Sequence, residues 1–174
     1  ETAVFMFSDH GDWAGDYGLV EKWPSGLDDC LTRIPMLVRT PGCAAGHVVE
    51  EPVECFDIMP TPLELAGIDA KHTHYAHSMM PAMAGAAGDR ERAAFTDGGY
   101  DSHEPHCSEG KAGIRGDVAG NPEGIYYPKG RQQQEHPESV CRATMMRTAT
   151  HKLVWRTADV NELYDLEEDP LETN

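Results

Sequence analysis

Basic residues are scarce in this chain, and long apolar runs and paired cysteines are missing altogether. No hydrophobic stretch approaches the ~18 residues needed to span a bilayer. Lysine and arginine number 14 against 30 aspartates and glutamates, giving a net charge of -16. The imbalance runs along the whole length: residues 1–70 hold 13 acids and 3 bases, and residues 71–174 hold 17 and 11. Such a chain repels phosphate backbones, which excludes nucleic acid as a partner. A small anionic ligand is not excluded, because a bound cation inverts the field locally. The five cysteines (Cys30, Cys43, Cys55, Cys107 and Cys141) include no CxxC pair, and this argues against a zinc ribbon or a thioredoxin-type site. Their odd number leaves at least one thiol free or intermolecular, and the compartment stays open. There is also no initiating Met, basic leader or signal segment before the first apolar run, and the last residues are acidic and polar with no closing element. Both ends are therefore expected to be cut from a longer protein.

What is present is an ordinary globular composition, 40% hydrophobic and 25% charged over 174 residues, enough for one domain. Residues 2–8 are apolar almost without alternation, which predicts a strand covered on both faces, as in a parallel sheet flanked by helices. The run ends in Ser8-Asp9-His10-Gly11, and residues 11–26 read as loop. Ile34–Val38 predicts a second strand, adjacent to the first. Pro60 and Pro62 near the start and Gly67 past the end predict a helix over Asp57–Ala66. A short helical piece near Ser78–Ala84 and a strand at Ala93–Thr96 follow. Residues 100–138 read as a long Gly-, Pro- and His-rich loop. Cys141–Ala149, Lys152–Arg156 and Glu162–Leu166 predict an antiparallel meander. The expected fold class is α/β, mostly parallel over residues 1–138, followed by a small antiparallel subdomain over residues 139–174.

Asp9 and His10 stand where ligands gather in open α/β sheets, beyond the carboxyl end of a strand. Neighbouring side chains on a strand point to opposite faces, so both reach one site only if the chain turns there, and Gly11 permits the turn. A carboxylate beside an imidazole reads either as half of a metal site or as a loop cap. The loop that follows is neither a P-loop nor GxGxxG, and its aspartate spacing misses the EF-hand pattern. Lys22, the only lysine before Lys71, reads either as a solvated ion pair or as a cation that returns to the site to hold an anion.

Ser8-Asp9-His10-Gly11, Gly15, Gly18-Leu19 and Lys22, followed by Arg33-Ile34-Pro35-Met36-Leu37-Val38-Arg39-Thr40-Pro41-Gly42, resemble the central stretch of the type I sulfatases. Asp57, Pro60-Thr61, Leu65 and Gly67-Ile68 are similar to the helix that follows in that family. Lys152-Leu153-Val154-Trp155, Glu162-Leu163-Tyr164-Asp165-Leu166 and Asp169-Pro170 resemble its C-terminal subdomain. The resemblance implies an alkaline-phosphatase-like fold and hydrolysis of a sulfuric ester on a sulfated small molecule or glycan. It implies Ca²⁺ (with Mg²⁺ or another divalent ion as the alternative) held by two N-terminal aspartates and by Asp9 and His10 as the second pair. It gives Lys22 a sulfate oxygen to bind, so Lys22 and His10 become the catalytic candidates. It implies a formylglycine nucleophile made from a C/S-x-P/A-x-R motif, and an extracytoplasmic setting.

That motif is absent: Cys30-Leu31-Thr32-Arg33 lacks the required third residue, and the N-terminal aspartate pair is absent too. By this reading the chain does not turn over substrate alone, and its exposed sheet edges favour a homo-oligomer. His103 and His106, after the Asp97-Gly98-Gly99 turn, read as substrate contacts or as an exposed loop. His72, His74 and His77 read as a metal cluster or as a solvated turn. Two alternatives stand beside the sulfatase reading: a fragment of a phosphodiesterase or phosphonate hydrolase of the same superfamily, and a non-catalytic module.

Overall fold

The computed structural model describes residues 2–101 and 121–173. The two apolar runs near the start do pair. Strand β1 (Val4–Phe7) and strand β2 (Met36–Arg39) form a two-stranded sheet in which Phe5 faces Val38 and Met6 faces Leu37. The pairing is antiparallel, where a parallel arrangement was expected. Strand β1 is also not covered on both faces: Val4, Met6 and Phe7 are exposed, as is Leu37. A ribbon of two strands has too few neighbours to cover either face, and among the described residues no third strand joins it.

Between these strands lies the loop of residues 11–26, closed by a short helix α1 (Asp29–Thr32). The segment expected as one helix over Asp57–Ala66 divides into a 3₁₀ turn (Cys55–Ile58) and helix α2 (Pro60–Leu65). The turn carries a capping box in which the Glu54 and Asp57 side chains each accept from the other's backbone amide. Asp57 is fully buried and makes an ion pair with Arg92 Nη2 at 2.6 Å, and Arg92 also reaches Glu54 at 2.9 Å. Thr61 Oγ1 donates to the Asp57 carbonyl and accepts from the Met79 amide, which ties α2 to the start of helix α3 (Met80–Met83).

Strand β3 (Ala94–Gly98), expected with the α/β part, instead joins the antiparallel meander. It pairs with β4 (Ala143–Arg147), which pairs with β5 (His151–Arg156), which pairs with β6 (Glu162–Asp165). Alternation along β4 and β5 turns Ala143, Met145 and Val154 inward, where Leu27 from the first loop completes a small core. The same face carries Arg147 opposite Lys152. Two adjacent cations need anions beside them, and the half-buried Asp29 and the buried Glu172 supply them: Arg147 Nη2 lies 2.9 Å from Asp29, and Lys152 Nζ lies 2.8 Å from Glu172 and 3.4 Å from Asp29.

Part of the stretch read as loop is helical. Helix α4 (Tyr127–Glu135) carries Pro128 in its first turn, where proline is suited, and continues through good helix formers in Arg131-Gln132-Gln133-Gln134-Glu135. It leads into a 3₁₀ turn (Pro137–Val140) whose Ser139 carbonyl accepts hydrogen bonds from Trp23 Nε1 and Ser25 Oγ.

Candidate functional site

Strand β1 ends at Phe7, and the chain then folds on itself. Ser8 Oγ donates to the His10 carbonyl at 2.6 Å, and the His10 amide donates to Asp9 Oδ1 at 3.0 Å. Gly11 passes so close to α1 that its amide donates to the Leu31 carbonyl at 2.7 Å. A Cβ at this position would sit 1.9 Å from the Cys30 carbonyl oxygen, so only glycine allows the approach. The turn required for Asp9 and His10 to reach one site is therefore made: His10 Nε2 lies 3.6 Å from Asp9 Oδ2.

The imidazole is oriented by its other nitrogen. His10 Nδ1 lies 2.7 Å from the Gly11 carbonyl, which can only accept, so Nδ1 carries the proton and Nε2 presents a lone pair. Lys22 Nζ donates to that lone pair at 2.7 Å. The His10 amide hydrogen bond, with the Asp9 amide behind it, holds the Asp9 carboxyl below its usual range. Carboxylate, imidazole and ammonium thus converge on one solvent-facing point at the strand end.

Lys22 returns across twelve residues because the loop is stitched internally. The Trp13 amide donates to the Glu21 carbonyl at 2.9 Å, and the Gly15 amide to the Leu19 carbonyl at 2.8 Å. The buried Trp13 indole anchors the loop through Nε1 to Asp28 Oδ2 at 3.1 Å. Glu21, immediately before Lys22, has a left-handed backbone with φ 65. Asp9, His10 and Lys22 line an open cleft of about 1840 Å³, together with Trp23, Lys129 and Arg147.

The remaining sequence candidates fare differently. His103 and His106 lie outside the described residues. None of His72, His74 and His77 lines the cleft. His72 and His74 meet edge to face at 5.9 Å, and the His77 amide caps Asp57. Among the described residues no three His, Cys, Asp or Glu side chains gather as a metal shell. Asp9 and His10 form a pair only. Donor atoms sharing one divalent ion at bond lengths of about 2.0–2.6 Å stand roughly 2.8–3.7 Å apart, and the 3.6 Å between Asp9 Oδ2 and His10 Nε2 falls in that range. The pair fits two positions of a larger shell. Cys30, Cys43, Cys55 and Cys141 are all free thiols, and burial pushes that of Cys30 up, away from a reactive thiolate.

One site residue was not legible beforehand. Lys129 on α4 donates to the Lys22 carbonyl at 2.7 Å and lies 3.4 Å from the Glu21 carboxylate. The signal that would have found it is the helix-forming run after Pro128, which turns residues 127–135 from loop into a rigid element.

The fold is that of part of an alkaline-phosphatase-like domain. Its backbone matches the phosphonate monoester hydrolase of Agrobacterium radiobacter with a TM-score of 0.72 and 25% identity, over 99% of this chain and 30% of that one. Residues 1–68 match the family model described as Sulfatase. The chain is 31% identical over 102 residues to a sulfatase of Formosa agariphila, covering 59% of this chain and 20% of that protein. It is 27% identical over 181 residues to the choline-sulfatase of Rhizobium meliloti, covering 99% of this chain and 26% of that protein. The chain therefore spans about a fifth to a quarter of the length of these relatives.

Proposed function

We propose that this chain supplies two metal ligands and a sulfate-binding lysine to a sulfuric ester hydrolase whose nucleophile lies outside residues 1–174. The observation that carries the reading is the 2.7 Å contact between Lys22 Nζ and His10 Nε2, beside an Asp9 carboxylate held ionised. Asp9 and His10 would hold a divalent ion, Ca²⁺ by the family resemblance, with Mg²⁺ as the alternative. That ion would polarise a sulfuryl oxygen and offset charge developing as the S–O bond breaks. Asp9 brings the negative charge that attracts the ion, and His10 brings an Nε2 lone pair, directed by the Gly11 carbonyl, that Lys22 would give up to the ion as it turns to the sulfuryl oxygen. Lys22, an exposed ammonium at the mouth of the cleft, would donate to another sulfuryl oxygen. An extracytoplasmic setting belongs to the same proposal and rests on the resemblance. No described helix is long and apolar enough to cross a membrane.

The structural match to a phosphonate monoester hydrolase supports a second reading, a phosphonate or phosphate diester in place of the sulfate ester. One experiment separates the two in the protein that joins this chain to its nucleophile half. Turnover of an aryl sulfate and of an aryl phosphonate is compared, with bound calcium counted in each variant. Asp9→Asn is expected to lose metal and activity together, since the amide keeps an oxygen but not the charge. Lys22→Ala is expected to keep its metal and to lose about 10- to 100-fold in kcat/KM, the equivalent of one charged hydrogen bond. Faster phosphonate turnover would favour the second reading, and an unaffected Lys22→Ala would overturn Lys22's role in both.

A further inference from the structure

Lys22 can serve an anion only if its ammonium is not already neutralised, and an acid precedes it in the chain. Glu21 is the natural partner for Lys22, yet its carboxylate lies 3.4 Å from a different cation, Lys129 Nζ. Lys129 reaches this point from α4, more than a hundred residues later. Its ammonium has three donors and no acceptor. It donates to the Lys22 carbonyl at 2.7 Å, pairs with Glu21, and stands 5.8 Å over the centroid of the Trp23 ring. Three consecutive residues are thereby engaged by one side chain. Trp23 is also held by its Nε1 bond to the Ser139 carbonyl at 2.5 Å, so α4 and the turn after it grip this loop segment together.

The backbone explains why such a grip matters. Glu21 is left-handed, a conformation that non-glycine residues rarely adopt without outside support. The Trp13 amide bond to the Glu21 carbonyl supplies support before Lys22, and Lys129 supplies it after. With both flanking carbonyls fixed, the Lys22 side chain leaves the backbone toward His10.

We propose that Lys129 is a positioning residue for the anion-binding lysine. It draws off the Glu21 carboxylate and clamps the Lys22 carbonyl, so that the Lys22 ammonium faces Asp9 and His10 unneutralised. The inference rests on the sulfuryl-binding role of Lys22, but its first test does not. In the full chain, the rate at which N-hydroxysuccinimide acetate acetylates the Lys22 amine is read by mass spectrometry, with exposed Lys71 as the internal control. Lys129→Ala is expected to change the Lys22 rate at least fivefold while Lys71 stays constant, because one charged hydrogen bond is lost from the segment. Lys129→Arg is expected to stay near the wild-type rate, since it keeps donor and charge. Should Lys129→Ala unfold, the milder Lys129→Gln takes its place. A wild-type Lys22 rate in the Ala or Gln variant overturns the proposal.

The second test is a double-mutant cycle on sulfate-ester turnover in the protein that carries the nucleophile. Lys129→Ala is expected to lower kcat/KM about tenfold, and to add little once Lys22 is already alanine. Additive losses overturn the proposal. If Lys22→Ala alone leaves turnover intact, the sulfuryl-binding reading fails, and the acetylation result still decides the role of Lys129.

Discussion

Lys152 Nζ lies 2.8 Å from Glu172 Oε1, and neither side chain reaches water. The pair joins β5 to residues that follow the last strand, and Asp29 ties it to the site loop, since the Asp29 amide donates to Glu172 Oε2 at 3.1 Å. Burial pushes the Glu172 carboxyl up, and the Lys152 ammonium draws it only partly back.

Removing the cation should therefore be costly. Lys152→Met leaves the buried Glu172 carboxylate without its cation, while Asp29 keeps Arg147, and a loss of about 3–5 kcal/mol is expected from urea unfolding at pH 7. The loss should shrink as the pH is lowered, because Glu172 sits above the ordinary glutamate value of 4.5 and takes up a proton. A loss independent of pH would mean that Glu172 is not the group left behind.

Asp29 gives the opposite pH signature. Burial alone would raise its carboxyl, but the Arg147 hydrogen bond and the Lys152 and Arg147 charges outweigh burial, and it lies below its ordinary 3.8. A depressed carboxyl contributes stability that is present above the ordinary value and is lost as pH falls through the folded one. Asp29→Asn is thus expected to be less stable than wild type at neutral pH, with the two stability curves converging below about pH 4. Parallel curves down to pH 2 would contradict it.

Gly11→Ala tests the shape of the site. The added Cβ would collide with a backbone carbonyl, which cannot rotate away as a side chain can. Destabilisation of about 1–3 kcal/mol is expected. Weaker metal binding should accompany it, because the loop must move away from α1 and carry His10 with it. An alanine variant with wild-type metal affinity and melting temperature would show that the loop has slack.

Much of the site was legible in the sequence, and the reasons are local. Asp9, His10 and Gly11 end an apolar run, so the turn could be expected from strand alternation and glycine alone. That Lys22 belongs with them came from the resemblance, because no pattern of charge or periodicity announces a loop that returns. The strands were legible as elements but not in their pairing. An unbroken run such as Ala3–Phe7 looks the same whether its partner is parallel or antiparallel, and only the register of Phe5 on Val38 decides. The allegiance of β3 was hidden for the same reason: Ala94–Gly98 carries nothing that favours β4 over any other edge. Lys129 was missed because Gly, Pro and His dominate the stretch around it, and its helix has no apolar stripe to betray the period.

Residues 171 and 172 hold the site loop from the tail. Tyr17 Oη donates to the Leu171 carbonyl at 2.7 Å, and Glu172 receives the Asp29 amide at 3.1 Å, so one short stretch of tail staples both sides of the segment that delivers Lys22. Proteolytic clipping after Pro170 would also take Glu172 away from the buried Lys152, so the cut is expected to weaken β5 as well as the loop at the strand-end cleft. Clipped protein is expected to melt earlier than the intact chain, and an intact-mass measurement would be the way to tell the two apart.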